Sequence, residues 1–329
     1  MTSRSGHGAY PTFAALLERD GDLAGTSWGL FPEPERGTPS FIGPDAVLAA
    51  RSCIRTGEVF GLDYPADAFD PGMSLKRSAP RHTIYSSHPA HRDDYLDGYY
   101  LQGSTQIDGL RHRRADDVGF YNGTPDDRIR EGTPDLGIQE WSDHPIAGRG
   151  VLLDLDGYRT GQGSPIDHAG GEALSLDLIK AAIDAQSVRL RSGDILMLHT
   201  GWCEWFLALA AEEKQQTRDS RRASGVAQSQ EFVAWVWDSQ LAIVAADNFA
   251  LECLPAQPSS PYLHSAPNDH GMMHQQLLAK LGMAIGELWR LGPLSQQMRS
   301  TGTWDAFVTI KPLNITGGTG SPANATAVV

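Results

Sequence analysis

The sequence predicts a single-domain α/β fold, in which helices cover both faces of a buried sheet. Two observations support this prediction. Continuous apolar runs at GVLLDL (150–155), DILMLHT (194–200) and LAIVAAD (241–247) are typical of strands buried on both faces. Segments with apolar residues at helical spacing separate these runs. The resulting order of strand, helix, strand, helix, strand indicates an α/β core.

The first third of the chain is less regular. Residues 1–45 are rich in Gly, Pro and Ser, and we predict an irregular N-terminal segment there, followed by one domain over 46–329. Pro44 and the residues DAVLAARSC after it predict a short helix with proline in its first turn. Residues 75–145 show little helical periodicity and are dense in His, Asp, Arg and Tyr. Polar loops of this length usually carry function.

Two helices are predicted between the buried strands. In SLDLIKAAIDAQ (175–186), Leu176, Ile179 and Ile183 recur at helical spacing, and Ser175 is a suitable N-cap. QEFVAWVWDSQ (230–240) predicts an aromatic helix that leads directly into the third strand. Asp247 and Asn248 follow that strand. They are interpreted as capping the turn there rather than as ligand-facing groups.

Composition restricts the classes of partner. Hydrophobic residues make up 40% and charged residues 20%, as in soluble globular proteins. Lys and Arg total 27 against 40 Asp and Glu, a net charge of −13, so no broad basic surface exists for nucleic acid or an anionic membrane. The sequence shows neither a membrane-length apolar run nor a signal peptide, and its cysteines (Cys53, Cys203, Cys253) are too scattered for a disulfide framework or CxxC site. We expect a cytoplasmic protein with a small-molecule substrate.

The stretch QGSTQIDGLRH (102–112) is the strongest candidate for an active site. If it is extended, Gln102, Ser104, Gln106 and Asp108 point to the same face, because side chains alternate along a strand. His112 follows beyond a glycine and could curl back to that face. Such a set could hold a cation, or could bind and protonate a substrate carbonyl. A polar strand face exposed to solvent is the alternative, and the pattern alone does not separate the two.

A second candidate lies downstream in GMMHQQLLAKLGMAIGELW (271–289). On a helix, His274 falls on the same side as Leu277, Leu278 and Leu281, where a histidine is usually a hydrogen-bonded core residue. Glu287 lies in an apolar context, where a buried carboxylate needs a partner. A cation shared with Asp108 and His274 would supply one.

These residues resemble the metal-dependent cyclase and kynurenine formamidase-like hydrolase family. The family signature His-x-Gly-Thr-His-x-Asp-x-Pro-x-His has the spacing of Gln102-x-Ser104-Thr105-Gln106-x-Asp108-x-Leu110-x-His112. Further blocks also resemble the family. They are GRGVLLD (148–154), SGDILMLHTGW (192–202), VAADNFALE (244–252) and PLNITGGTGSPANA (312–325). The resemblance implies a swivelling β/β/α fold and a homodimer or homotetramer.

The resemblance also implies roles for individual residues. Gln102 and Gln106 stand where the family has metal-binding histidines, and Asp108 matches its ligand aspartate. His112 matches the histidine beside the metal, which acts as acid and base or as a ligand at a second metal site. His274 and Glu287 match the distal histidine and glutamate. The two glutamines match longer bacterial and fungal members that read S-T-Q-x-D-G-x-R-H.

The glutamines change the expected metal. Amide oxygens are harder and weaker donors than imidazoles, which favours Mn²⁺ over Zn²⁺, or no metal at all. With a metal, we expect a hydrolase or cyclase acting on an amide, lactam, lactone or similar acyl bond. Without one, Gln102 and Gln106 would bind a carbonyl while Asp108 and His112 supply acid–base chemistry for a cyclase, dehydratase or isomerase. An inert binding protein is the least favoured class, since Asp108 and His112 are both retained.

Aromatic residues are candidates for the substrate pocket. Tyr100, Phe120, Tyr121 and Trp202 could line a pocket for an aromatic or otherwise apolar acyl group, or could equally belong to the core. The histidines His82, His88 and His91 fit no zinc-site spacing, and we expect them at the surface or at a pocket rim.

Overall fold

The computed structural model describes residues 10–115, 118–263 and 271–329. Its strands are β1 (Val59–Gly61), β2 (Arg81–Tyr85), β3 (Asp93–Asp97), β4 (Gln106–Asp108), β5 (Ile146–Asp154), β6 (Ala173–Leu174), β7 (Ile195–His199), β8 (Gly225–Val226), β9 (Ile243–Ala246), β10 (Ala284–Glu287), β11 (Asp305–Ile310), β12 (Gly320–Ser321) and β13 (Thr326–Val328).

The α-helices are α1 (Phe13–Leu17), α2 (Pro44–Ala50), α3 (Gln139–Asp143), α4 (Leu155–Gly161), α5 (Leu176–Ala185), α6 (Trp202–Ala208), α7 (Ala211–Ser220), α8 (Gln230–Asp238) and α9 (Gly292–Thr301). A π-helix covers Gln275–Lys280. Short 3₁₀ turns lie at Gly21–Leu23, Thr38–Phe41, Arg51–Cys53, Tyr121–Gly123 and Asp126–Arg128. Within the described ranges, no helix is both long and apolar enough to cross a membrane.

A nine-stranded sheet organises the domain, with the order β1-β13-β11-β5-β7-β9-β10-β4-β12. The four central strands β5, β7, β9 and β10 run parallel, and the flanking strands pair antiparallel. The carboxyl ends of the parallel strands therefore meet at one edge of the sheet. The predicted α/β class and the three predicted buried strands are confirmed.

Both faces of the central strands are buried, which explains their unbroken apolar runs. In β7, Leu196 and Leu198 pack into one core with helices α5 and α8, while Ile195 and Met197 pack into a second core on the opposite face. The predicted helices are confirmed as α2, α5 and α8. Pro44 lies in the first turn of α2, and the Ser175 hydroxyl accepts a hydrogen bond from the Leu178 amide at the start of α5.

From residue 10 onward, the N-terminal segment is more ordered than its composition predicts. Tyr10, Phe31 and Phe41 form an aromatic cluster with Trp237 of α8, with ring centroids between 5.0 and 6.1 Å apart. Helix α1 also packs against α8. The segment is irregular in secondary structure, but its aromatic residues complete the core on this face.

The loop-rich region 75–145 contains a hairpin, β2–β3, which the sequence did not reveal. All side chains of β3 are exposed, so no apolar alternation marks it. His82 and His88 are exposed in this hairpin and His91 is half-buried, in line with the predicted surface or rim positions, and His82 Nε2 is 2.7 Å from Asp94 Oδ2.

Candidate active site

Strand β4 carries the centre of the candidate motif and lies between β10 and β12. Its register places Gln106 directly opposite Glu287, and the Gln106 side-chain amide donates to Glu287 Oε2 at 2.5 Å. Gly286 has no side chain, which leaves room for the Trp289 indole to donate to the Gln106 carbonyl at 3.0 Å. Both Gln106 and Glu287 are buried, so the interpretation of a solvent-facing polar strand is wrong.

The extended segment is shorter than the motif. Only Gln106–Asp108 is a strand, because a turn closed by the Gly103 amide and the Tyr100 carbonyl precedes it. Ser104 consequently points elsewhere and donates to the Pro65 carbonyl. Gln102 still reaches the site from this turn, and its side-chain amide donates to Asp108 Oδ1.

His112 returns to the same site, as its position after the glycine predicts. Its Nε2 lies 3.6 Å from Asp108 Oδ2, and its Nδ1 lies 3.3 Å from the Gln102 amide nitrogen. Burial disfavours the charged imidazolium and lowers the pKa of His112, against the opposing effect of Asp108. The motif residues Gln102, Asp108 and His112 thus contact one another.

His274 and Glu287 complete the site from distant parts of the chain. His274 lies immediately before the π-helix, and its Nε2 is 3.0 Å from Glu287 Oε1 and 3.9 Å from Asp108 Oδ2. Its Nδ1 is 2.7 Å from Glu252 Oε1. Burial opposes the imidazolium, but the hydrogen bonds with Glu252 and Glu287 outweigh burial and raise the pKa of His274 to about 10. Burial opposes the charged form of Glu287, but the hydrogen bond from His274 outweighs burial and lowers the pKa of Glu287 overall.

The donor set fits a divalent cation. Asp108, His274 and Glu287 each offer one donor atom, and the three atoms lie within 4.8 Å of one another. Asp108 Oδ2 and Gln106 Oε1 are buried without a hydrogen-bond partner among the described residues. Buried oxygens rarely remain unpaired, so these two point to a ligand that both would face. Carboxylate and amide oxygens with one imidazole suit Mn²⁺ or Zn²⁺.

A narrow cavity of about 10 Å³ adjoins Gln102. Its lining includes Phe69, Met73, Arg77, Gln102, Trp202, Phe249 and Leu288. The Trp202 indole N–H is buried without a described acceptor, so it is free to donate to a bound molecule. The Arg77 guanidinium donates to the Gln102 carbonyl at 2.5 Å and thereby fixes the turn that carries Gln102.

The four predicted pocket aromatics do not all lie here. Trp202 lines the cavity, whereas Tyr121 is buried in the core with its hydroxyl 3.3 Å from Ser27 Oγ. Phe120 packs against the same core, and Tyr100 is exposed. The reason is local: Tyr121 lies against Gly282, where a larger residue would clash with its ring. Tyr121 is therefore a core residue.

Two residues of the site, Glu252 and Arg77, were not predicted from the sequence. Glu252 is fully buried and orients His274, while its other oxygen accepts the Met273 amide at 2.7 Å. Arg77 acts from a loop 25 residues before Gln102. Glu252 ends the block VAADNFALE, so the resemblance of that block was the available signal; nothing in the sequence marked Arg77.

A second polar cluster lies at the carboxyl ends of the parallel strands. Asp154 ends β5, His199 ends β7, and Asp247 follows β9. Asp247 accepts the Thr200 and Gly201 amides at 2.7 Å, and these amides belong to the turn after β7 rather than to the turn after β9, where the capping role was predicted. Burial disfavours a charged His199, but Asp154, Asp247 and Glu204 outweigh burial and raise the pKa of His199 to about 9.

His168, at the rim of this cluster, should make stability depend on pH. Burial lowers the pKa of His168 to about 4, although Glu172 and Asp167 favour its charged form and His199 disfavours it. Between about pH 6.5 and about pH 4 the unfolded chain binds a proton that the folded chain does not, so the free energy of unfolding falls as the pH decreases. Replacing His168 by Gln should flatten this slope in urea unfolding across that window. The exposed His88→Gln variant is the control and should keep the wild-type slope; an unchanged slope in His168→Gln would contradict the prediction.

Comparison with known proteins adds independent information. The sequence profile of the Cyclase family matches residues 70–253, more than half of the chain. A solved structure described as a novel cyclase is 30% identical, has a TM-score of 0.78, and the match covers 92% of this chain and 99% of that chain. This agrees with the cyclase-like fold that the motif resemblance implies.

Two isatin hydrolases share the fold at lower identity. Isatin hydrolase A from Labrenzia aggregata, bound to benzyl benzoate, is 14% identical with a TM-score of 0.56 over 85% of this chain and 95% of that chain. Isatin hydrolase A from Ralstonia solanacearum is 15% identical with a TM-score of 0.52 over 87% and 97%. A comparison with curated proteins gave no significant match.

Proposed function

Because the chain belongs to the Cyclase family, we propose that it is a metal-dependent hydrolase or cyclase acting on an amide, lactam, lactone or similar acyl bond. The observation that carries this proposal is the environment of Asp108 Oδ2. This carboxylate oxygen is buried, has no described hydrogen-bond partner, and lies 3.6 Å from His112 Nε2 and 3.9 Å from His274 Nε2. A buried negative oxygen between two imidazoles is suited to a cation and a reacting group.

Asp108, His274 and Glu287 would hold the cation, with Gln106 Oε1 as a further donor. Three of these four donors are oxygens, which favours Mn²⁺ over Zn²⁺. Gln102 donates to Asp108 Oδ1 and so leaves Oδ2 directed at the site. When bound, such a cation polarises the substrate carbonyl and lowers the pKa of water at the site.

His112 is the proposed acid and base. Its Nε2 lies 3.6 Å from Asp108 Oδ2, and its side chain is 17% exposed, so the imidazole contacts the polar centre and keeps a solvent-accessible part. In hydrolysis it would accept a proton from the attacking water and return it to the leaving nitrogen or oxygen. In ring closure the same nitrogen would take the proton from the attacking group of the substrate.

The cavity beside Gln102 is proposed to bind the acyl portion of the substrate. Phe69, Met73 and Leu288 provide apolar contacts, and the unpaired Trp202 N–H provides one donor for a carbonyl. The apolar lining suits an aromatic or other flat acyl group, but the volume of about 10 Å³ holds only about one water molecule, so the lining side chains would have to move apart on binding. A screen over formyl-anilides, cyclic imides, isatin-like lactams and lactones therefore covers the proposed chemistry.

Chelation tests the function directly. Once the screen gives a substrate, dialysis against EDTA should reduce turnover by at least about 100-fold, because the cation supplies most of the carbonyl activation. Adding Mn²⁺ should restore it, and metal analysis should show stoichiometric metal in the active protein. Full turnover in EDTA would overturn metal dependence and favour the acid–base alternative, in which Asp108 and His112 act without an ion.

Glu252 should strengthen metal binding indirectly, by orienting His274 rather than by binding the metal itself. Replacing it by Gln removes the carboxylate that orients His274 through Nδ1, and the loss of such a partner typically weakens metal binding about 10–100-fold. Titration with Mn²⁺, followed by the EPR signal of the free ion, measures the change. The Glu212→Gln variant, on the exposed surface of α7, is the control. An unchanged affinity in Glu252→Gln would show that His274 is not a ligand.

A further inference from the structure

The second polar cluster is distinct from the proposed catalytic centre. Three of its residues are His199 at the end of β7, Glu204 in α6 and Asp247 after β9, and none of them belongs to the motif of residues 102–112. In open α/β sheets, ligands bind in the crevice outside the carboxyl ends of the parallel strands. The cluster occupies that position beside the carboxyl ends of β5, β7 and β9.

His199 is held with one ring nitrogen fixed and the other directed at two carboxylates. Its Nδ1 is 3.0 Å from Asp154 Oδ1. Its Nε2 is 3.8 Å from Glu204 Oε2 and 3.8 Å from Asp247 Oδ2, which is too long for a hydrogen bond to either. The side chain is only 7% exposed, and it lines an open cavity.

This arrangement is the one that metal-binding histidines adopt. A ligating histidine usually donates its other N–H to a carboxylate, and that bond fixes the ring and its tautomer. Asp154 is suited to the orienting role only, since its oxygens are already used by His199, the Gly157 amide and the Arg299 guanidinium. The neighbouring group of Asp154, Asp156 and His199 therefore lacks a free donor from Asp154.

Glu204 and Asp247 each retain a donor atom on the side facing His199. Tyr64 donates to Glu204 Oε1 at 3.1 Å and leaves Oε2 towards Nε2. The Gly201 amide fixes Asp247 Oδ2, which keeps a second lone pair. Metal ligands of this type lie about 2.0–2.2 Å from the ion, so small shifts of the 42% exposed Glu204 bring all three atoms into range.

An open cavity of about 670 Å³ gives access to the cluster. Its lining includes His199, Glu204, Asp156, His168, Trp205 and Arg299. An ion at His199 would keep open coordination positions on the cavity side, where water can complete its shell.

We propose that His199 Nε2, Glu204 Oε2 and Asp247 Oδ2 form a second divalent-cation site, with Asp154 orienting His199 and with Zn²⁺ or Mn²⁺ as its occupant. The proposal does not depend on the catalytic assignment, because the two sites share no residue. One imidazole and two carboxylates are a donor set that suits these ions.

The test is Mn²⁺ binding to the full chain after dialysis against EDTA, with free Mn²⁺ followed by EPR. Compared with wild type, the Glu204→Gln variant should lose one Mn²⁺ per chain or bind it at least about 10-fold more weakly. The Asp156→Asn variant is the matched control, since its carboxylate lines the same cavity but is not a proposed ligand, and it should bind as wild type does. Equal binding by Glu204→Gln and wild type overturns the proposal, and so does a loss in Asp156→Asn alone.

Two further variants separate the sites. His199→Asn should reproduce the Glu204→Gln loss, and a wild-type stoichiometry in His199→Asn overturns the proposal. Asp108→Asn should leave binding at the second site unchanged. If Asp108→Asn and Glu204→Gln each lose the same single ion, the chain has only one cation site and the second-site proposal fails. If only Glu204→Gln loses an ion, the second site stands and the catalytic ion is contradicted.

Discussion

Replacing Asp108 by asparagine should lower kcat/KM by about 10²–10³-fold or more while the protein remains folded. The side chain keeps its shape but loses the charge of Oδ2, which lies within 4 Å of both His112 and His274. Removing one group that stabilises developing charge in a dry site typically costs about 3–4 kcal/mol in the transition state. Metal affinity should fall as well, because the neutral amide is a weaker donor than the carboxylate.

The same variant separates a functional from a structural role. A buried carboxylate without a hydrogen-bond partner on one oxygen is costly to the fold, so Asp108→Asn should leave the free energy of unfolding unchanged or raise it. The control is Asp97→Asn in the exposed strand β3, which should keep both activity and stability. Retained activity in Asp108→Asn would remove Asp108 from the mechanism. A large loss of stability would instead identify it as a structural residue.

The motif residues were predictable because they are close in sequence. Gln106 and Asp108 share one face of a three-residue strand, and His112 returns after a single turn, so local geometry and spacing were sufficient. His274 and Glu287 needed the family resemblance, since helical spacing alone favours a core histidine. Their meeting with Asp108 depends on the pairing of β4 with β10, which no local pattern determines.

Three central strands of the sheet were predictable from the sequence, and the short strands were not. The three predicted central strands β5, β7 and β9 carry at least three consecutive apolar residues, which is long enough for a pattern to appear, whereas the fourth central strand, β10 (Ala-Ile-Gly-Glu), was not predicted. Strands β1, β12 and β13 have only two or three residues, and their pairing partners lie far away in the sequence. The His199, Glu204 and Asp247 cluster escaped the prediction for a related reason: it forms only when neighbouring parallel strands end at the same edge.

The two glutamines now have defined partners. Gln106 donates to Glu287 and Gln102 donates to Asp108, so each amide binds a carboxylate that is itself a proposed ligand. A histidine in either place would compete for the cation as a strong nitrogen donor. The amide nitrogens of the glutamines orient the carboxylates, and Gln106 keeps Oε1 as a further oxygen donor, which is consistent with a site that relies on oxygen donors.

The aromatic cluster of the N-terminal segment depends on Trp237. This side chain is 1% exposed, its ring packs against Phe31 and Phe41, and its indole N–H donates to the Pro11 carbonyl at 2.8 Å. Residues 10–41 contain only short helical elements, and Trp237 connects this segment to α8 together with helix α1 and the bond from the Phe13 amide to Asp238 Oδ1.

Trp237→Ala should therefore lower the free energy of unfolding by about 3–5 kcal/mol, the usual cost of truncating a large buried aromatic residue. Urea unfolding measures this loss, and limited proteolysis should show faster cleavage between residues 10 and 41. Trp237→Phe is the matched control: it keeps a ring but loses the bond to Pro11, and it should cost less than half as much. A loss below about 1 kcal/mol in Trp237→Ala, with unchanged proteolysis, would mean that the N-terminal segment is held by other contacts, such as the bond from the Phe13 amide to Asp238 Oδ1.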